Sequence, residues 1–264
     1  MRDDTCALCG NTSFSKVLDI DGSVSIVKCG GCGVARTRPC PRFDFASQEK
    51  YSAFYLDNEA MFRMFARSMM AAIRPFRSSG EFLDVGCSVG FLLDEAKAAG
   101  FEPTCGIELN VKAGLISQQK GHTVYAEPLE ELRLEAGRFD AIAFNHVLEH
   151  IPDAKRFLAE ARRILKDDGI LYCGLPNYDS FMRRWLGKNW YGWGMPDHIW
   201  HFDASTFERT LRGAGFAPKT IVRNALYYPY SKSLRKNTRA TVARVAAALG
   251  AGDQLYGIFA KGGM

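Results

Sequence analysis

The sequence predicts an α/β protein, a parallel sheet with helices on both faces, carrying a small N-terminal zinc ribbon. Two observations carry this. From residue 81 onward, apolar runs of strand length alternate with stretches of helical periodicity, the pattern of a doubly wound sheet. Before residue 40, two Cys-x-x-Cys knuckles stand nineteen residues apart.

The ribbon comes first. Cys6, Cys9, Cys29 and Cys32 supply four thiolates, and Gly10 and Gly33 follow the two pairs directly. A glycine there permits the turn that aims backbone N–H groups at sulfur. Four thiolates close a tetrahedral shell, so the zinc they predict is structural. Disulfides are the alternative, which a cytoplasmic chain disfavours. Between the knuckles, "SFSKVLDIDGSVSIVKC" alternates apolar and polar residues about Asp21-Gly22, a hairpin pattern. The ribbon is expected to span 1–40. A helical connector follows over 41–79, with Phe62, Phe65, Met69, Ile73 and Phe76 at helical spacing.

The third region, 80–264, begins after Ser78-Ser79-Gly80. Strands are predicted at 81–85, 103–108, 122–125, 139–144 and 170–175. Helices are predicted between them at 90–99, 111–120, about 128–134, and 153–166. The helix "STFERTLRGAG" then precedes two more apolar strands, "KTIVRN" and "QLYGIFAK". An aromatic-rich insertion occupies about 177–203.

Composition is that of a soluble globular chain, 47% hydrophobic and 24% charged over 264 residues. No apolar run approaches the ~20 residues that span a bilayer, and the N-terminus lacks a secretory core. A cytoplasmic, non-integral protein is expected. The net charge is +5, yet nine Lys or Arg and no acidic residue lie between Arg209 and Arg244. Such a stretch suits an anionic partner or is simply a solvated face.

"FLDVGCSVGF" then poses the cofactor question. A nicotinamide fingerprint wants glycine at 86, 88 and 91, and here 88 is Ser and 91 is Phe. No Gly-Lys-Ser/Thr follows, which excludes a P-loop. Glu108, at the tip of the second strand, can accept both ribose hydroxyl protons of an adenosine cofactor.

Asp84-x-Gly86-x-x-x-Gly90, Glu108, "FDAIAFNHVLEHI" and "RRILKDDGILYCGLPN" together resemble the class I S-adenosylmethionine-dependent methyltransferases over about residues 80–262. The resemblance extends to a type 11/23-like subgroup with an N-terminal zinc ribbon and a "PRHLxHF"-like motif, here Met195–Phe202. It implies a Rossmann-like seven-stranded sheet with one antiparallel strand. It also implies that Asp84, Gly86, Cys87 and Gly90 hold the methionine end of the donor, with Asn145 bordering it. Glu108 and Leu109 would hold the ribose, and Glu127 would lie by the adenine.

Methyl transfer to a hydroxyl needs a base, and histidine suits it. Four of five histidines fall in two short segments, His146 with His150 and His198 with His201. His150, with His146 and His201, is expected to serve the acceptor. If 146–150 is one helical turn, His146, Glu149 and His150 share a face and could hold a second divalent metal. A Glu-x-x-Glu-His cluster does so in ubiquinone-pathway and small-RNA methyltransferases, but here His146 replaces the first Glu. Trp185, Trp190, Trp193 and Trp200, with Arg183, Arg184 and Lys188, suit either a hydrophobic cap or a lid over a sugar ring and its phosphate. The function expected is O-methylation of a sugar, glycolipid or related small, anionic acceptor such as a sugar nucleotide. The rivals are an RNA-binding protein or RNA methyltransferase using the ribbon and basic stretch, and a nicotinamide oxidoreductase.

Overall fold

The computed structural model describes residues 4–41, 48, 50–194, 197–225 and 234–262; the side chains of 234–236 are outside this description. Met195 and Pro196 of the histidine motif, and Lys232 with the Arg235 and Lys236 side chains of the basic stretch, therefore lie outside the described residues.

Seven strands form the main sheet. They are β4 (Gly80–Val85), β5 (Phe101–Ile107), β6 (Thr123–Tyr125), β7 (Phe139–Asn145), β8 (Leu165–Pro176), β10 (Phe216–Asn224) and β11 (Gln254–Lys261), in the order β10-β11-β8-β7-β4-β5-β6. β4, β5, β6, β7 and β8 pair in parallel, whereas β11 runs antiparallel to both β8 and β10. The predicted seven-stranded, Rossmann-like sheet with one antiparallel strand is the sheet observed.

Side chains alternate across it with the period of two that a strand imposes. Phe82 packs with Phe101 toward α2 (Glu59–Ile73) and α3 (Phe91–Ala98). Leu83 and Val85 point the other way, toward Phe144 and Phe157. On that face α5 (Ala154–Ile164) buries Ala154, Phe157, Leu158, Ala161 and Ile164, the 3–4 spacing of one helical stripe. α7 (Ala204–Gly213), opened by the reciprocal Asp203–Thr206 cap, adds Phe207 and Leu211. α4 (Val111–Gln119) links β5 to β6 and is capped by Asn110.

The helix expected over about 128–134 is not formed. Glu131 and Leu132 donate to the Pro128 carbonyl in a single turn. Leu129 and Leu134 nevertheless bury in the core, so the connection is anchored without a helix. The Lys166–Gly169 segment lies within β8, where pairing jumps from Phe139↔Leu165 to Ala141↔Ile170. Lys166 pairs with Asp140 and Asp168 with Arg77 across this irregularity.

The second sheet is small, β1 (Phe14–Asp19), β2 (Ser25–Cys29), β3 (Ala35–Arg38) and β9 (Trp200–His201), all antiparallel. β9 comes from the aromatic insertion. Cys6, Cys29 and Val34 share a buried cluster with Ile199, Trp200 and Phe202, so the ribbon is welded to the main unit through its core. α6 (Phe181–Leu186) and α8 (Leu234–Ala248) complete the chain, with α1 (Tyr51–Asp57) ahead of α2. Among the described residues no helix is long and apolar enough to cross a membrane.

Candidate active site

A cavity of about 880 Å³ lies at the C-terminal ends of β4, β5, β7 and β8, covered by α1 and α2. This is where ligands bind in open α/β sheets. Its volume sits near the top of the ~300–1,000 Å³ range of small-molecule sites, room for a donor and an acceptor together.

The glycine loop forms its floor. Gly86 and Gly90 have φ of +78° and +85°, and a Cβ at Gly90 would lie 2.4 Å from Ser117 Oγ. Both positions therefore require glycine. Ser88, also left-handed at φ +49°, donates its N–H to Glu108 Oε2 at 2.8 Å, and Asn110 N donates to Oε1 at 2.7 Å. Phe91 does not obstruct the bend. Its ring is buried beneath Arg63 at 4.7 Å and Lys120 at 4.5 Å, two cations against one aromatic. Burial lifts the Glu108 carboxyl above its ordinary range against three backbone N–H groups. Asp84 is pushed well above the carboxylate range by burial and by the Glu108 charge.

Of the residues expected at the donor, Asp84, Gly86, Cys87, Glu108, Leu109 and Asn145 line the cavity. Gly90 shapes the turn without lining it. Glu127 is exposed, its Oε2 accepting from Ala126 N at 3.1 Å, and Pro128, Leu129 and Glu130 line the wall instead. Sequence reasoning missed Tyr51 and Tyr55, which reach in from α1 and face the Glu108 charge. Aromatic residues on a predicted connector gave no signal of their own.

The side on which the sequence places the acceptor is built from two segments. His146 has φ +56°, so it breaks from β7 into the left-handed region and a 3-10 turn over Leu148–His150 follows. The condition that 146–150 form one helical turn is not met for that reason. His146 Nδ1 still meets Glu149 Oε1 at 3.1 Å. Burial lowers the His146 pKa, but the Glu149 hydrogen bond and charge outweigh it and leave it above the ordinary value. Burial would raise Glu149, yet the same bond and three histidines hold it down at about 2.

His150 lines the cavity and donates Nδ1–H to the Asp197 carbonyl at 3.2 Å. Burial keeps its pKa below the ordinary value, so the ring is neutral at pH 7 with its lone pair on Nε2. His198 packs against it, ring centroids 4.6 Å apart, and donates Nδ1–H to Gly192 O at 3.0 Å.

The structure corrects the composition of the second cation cluster. Glu149, His150 and His198 bring ligand atoms within 4.8 Å of one another, and His146 is outside the group. His146 lines the cavity, as His150 does, whereas His201 does not. His201 is 2% exposed, donates Nε2–H to Thr37 Oγ1 at 2.9 Å, and burial takes its pKa down to about 3.

The four ribbon cysteines converge as the spacing predicted, with Sγ–Sγ separations of 3.7 Å for Cys6–Cys32 and 3.5 Å for Cys9–Cys29. Of the aromatic insertion, Trp190, Trp193 and Trp200 are buried and Trp185 is half exposed. None of the four lines the cavity. The insertion packs on the ribbon sheet as a cap. In the basic stretch, Arg209 donates to the Cys32 carbonyl and Arg212 pairs with Glu208, so both serve local structure.

Comparisons with known proteins agree with this geometry. A family model described as a methyltransferase domain matches residues 58–220. An uncharacterized protein of Methanocaldococcus jannaschii is 26% identical over 136 residues, 52% of this chain and 62% of its own, so the chain spans under two-thirds of its length. The ubiquinone biosynthesis O-methyltransferase of Cereibacter sphaeroides is 27% identical over 220 residues, covering 75% of this chain and 80% of that protein. A Thermotoga maritima SAM-dependent methyltransferase, titled a possible histamine N-methyltransferase, superposes with TM-score 0.60 at 21% identity, over 80% of this chain and 97% of its own, a likeness of fold. With its sheet order, its glycine bend and the matching family model, the chain belongs to the class I S-adenosylmethionine-dependent methyltransferases.

Proposed function

We propose that the protein methylates a hydroxyl of a small, anionic acceptor, a sugar nucleotide or glycolipid precursor, with His150 as the base. One observation carries the reading: a half-buried, neutral histidine on the cavity wall is oriented by its Nδ1–H bond to the Asp197 carbonyl. That orientation leaves Nε2 as the basic nitrogen, the arrangement general-base catalysis requires. The Cereibacter relative, named for O-methylation, agrees with a hydroxyl acceptor.

S-adenosylmethionine supplies an electrophilic sulfonium methyl. Glu108 and Leu109 would hold its ribose. Asp84, Gly86, Cys87 and Asn145 would hold its methionine end, with Gly90 shaping the bend and Pro128, Leu129 and Glu130 by the adenine. The buried Asp84 carboxyl, held near another acid, suits a cationic group at this place. α1 and α2 exclude water, and His150 removes the hydroxyl proton as the acceptor attacks.

Cys6, Cys9, Cys29 and Cys32 would hold one structural zinc. Sulfurs on a tetrahedral zinc at ~2.3 Å are about 3.8 Å apart, close to the separations found.

A specific observation favours a second reading, with a divalent cation on Glu149, His150 and His198. Glu149 Oε2 is buried without a hydrogen-bond partner. Both histidines already donate Nδ1–H to carbonyls, as metal-bound histidines commonly do. Such a cation would acidify the acceptor hydroxyl in place of a base.

Incubating the protein with methyl-tritiated S-adenosylmethionine and a small-molecule cell extract tests the function. Label is expected in an anionic product, lost with His150→Ala and retained after ribonuclease treatment. Incorporation into RNA alone would overturn the reading. Adding Mn²⁺ or EDTA to zinc-loaded protein separates cation from base: rate dependence on Mn²⁺ selects the cation.

A further inference from the structure

The residues that bind the ribbon to the rest of the chain also bond to the turn that carries His150. Thr37 of β3 is 1% exposed, and its N–H and hydroxyl both bond to the insertion. Its N–H donates to the Ile199 carbonyl at 3.0 Å, its hydroxyl donates to the His198 carbonyl at 2.8 Å, and that oxygen accepts from His201 Nε2–H at 2.9 Å. The far edge of the same short segment is fastened to the turn that bears His150. Ile199 N donates to the Glu149 carbonyl at 2.8 Å, and Trp200 Nε1 donates to the Ile151 carbonyl at 2.8 Å. Residues 198–201 thus form a strut with the ribbon on one side and the acceptor turn on the other.

We propose that Thr37 is a positioning residue for the acceptor side of the site. Its hydroxyl fixes His198, and His198 fixes the His150 ring through their edge-to-face contact. This rests on the reading of His150 as the acceptor-side group. Backbone pairing of Ala35↔His201 and Arg36↔Trp200 joins the two strands. The hydroxyl adds a restraint outside that ladder: it ties down the carbonyl of His198, the residue whose ring meets His150. Valine has nearly the same shape and removes both hydroxyl bonds, whereas serine keeps them. The ribbon is then a working wall of the active site, although the cavity lining contains none of its residues.

The test uses the zinc-loaded, full-length chain as wild type, Thr37→Val and Thr37→Ser, labelled with ¹⁵N-histidine and observed at one fixed pH of 8. With five histidines the ring spectrum is assignable. In Thr37→Val the His201 Nε2–H signal is expected to vanish into solvent exchange, and the His198 and His150 ring signals to shift together. Zinc content and S-adenosylhomocysteine affinity should stay within twofold of wild type, showing an intact fold and donor side. Thr37→Ser should restore the wild-type spectrum. Transfer of tritiated methyl to the extract should fall at least tenfold in Thr37→Val and recover in Thr37→Ser. A Thr37→Val spectrum in which only His201 changes would overturn the proposal. So would loss of zinc or donor binding in both variants, which would mark a purely structural residue. Wild-type protein that shifts as expected on mutation but labels nothing in the extract would sink the acceptor reading and leave the strut standing.

Discussion

Ser88 donates its backbone N–H to Glu108 Oε2 at 2.8 Å, tying the glycine bend after β4 to the acid at the tip of β5. Ser88 N–H meets Glu108 Oε2 and Asn110 N–H meets Oε1, and the carboxylate keeps acceptor capacity for a ribose hydroxyl. Removing the carboxylate therefore costs donor binding and loosens the loop. Hydrogen bonds to a charged group contribute about 1.5–3 kcal/mol, so Glu108→Ala should weaken S-adenosylhomocysteine binding roughly 10- to 100-fold. Glu108→Gln should fall in between. Isothermal titration reads both.

Gly90→Ala should be more harmful than Gly137→Ala, although both sites have positive φ, +85° and +63°. A Cβ at 137 meets nothing within 4 Å, whereas one at 90 collides with Ser117. Left-handed strain alone costs about 1–3 kcal/mol, and the collision adds to it. At about 2–4 °C per kcal/mol, Gly90→Ala should lower Tm by roughly 4–10 °C, and Gly137→Ala by less. Differential scanning calorimetry separates the two.

His201 is buried in neutral form, with its pKa down at about 3. The unfolded chain binds a proton near pH 6.5 and the folded chain does not. Stability from this group is therefore present above pH 6.5 and is lost as pH falls toward the folded value. Between pH 7.5 and 5.5 one such histidine costs about 1.4 kcal/mol. Urea unfolding at the two pH values should show that loss, and His201→Asn should reduce the difference by a comparable amount. Glu149, at about 2, titrates below this window.

Zinc extraction should lower stability more than it lowers donor affinity. The thiolates and the welded core of the ribbon stabilise the insertion, while the glycine bend belongs to β4 and β5. A zinc-specific dye should release about one zinc per chain. Tm should then fall, with S-adenosylhomocysteine affinity held within a few fold.

Much of this was legible in the sequence because it is local. The seven strands announce themselves as apolar runs, the Cys-x-x-Cys pairs carry their own spacing, and Gly86, Gly90 and Glu108 sit at turns that few residue types satisfy. The part that stayed hidden depends on distant pairings. His198 joins Glu149 and His150, and His201 is diverted to Thr37, because the insertion donates β9 to the ribbon sheet. Spacing within one segment cannot reveal that. The false helix at 128–134 has a different cause: the alternating pattern wants a helix between β6 and β7, and a single turn after Pro128 makes the connection while burying Leu129 and Leu134.

The most direct measurement is a crystal structure of the protein grown with S-adenosylhomocysteine. Both ribose hydroxyls are predicted within ~3.2 Å of Glu108, with the amino-acid end over the Gly86 bend and His150 facing the sulfur across the open part of the cavity. A nucleoside bound elsewhere, or a saturated crystal in which this cavity stays empty and Glu108 makes no ligand contact, would contradict the account.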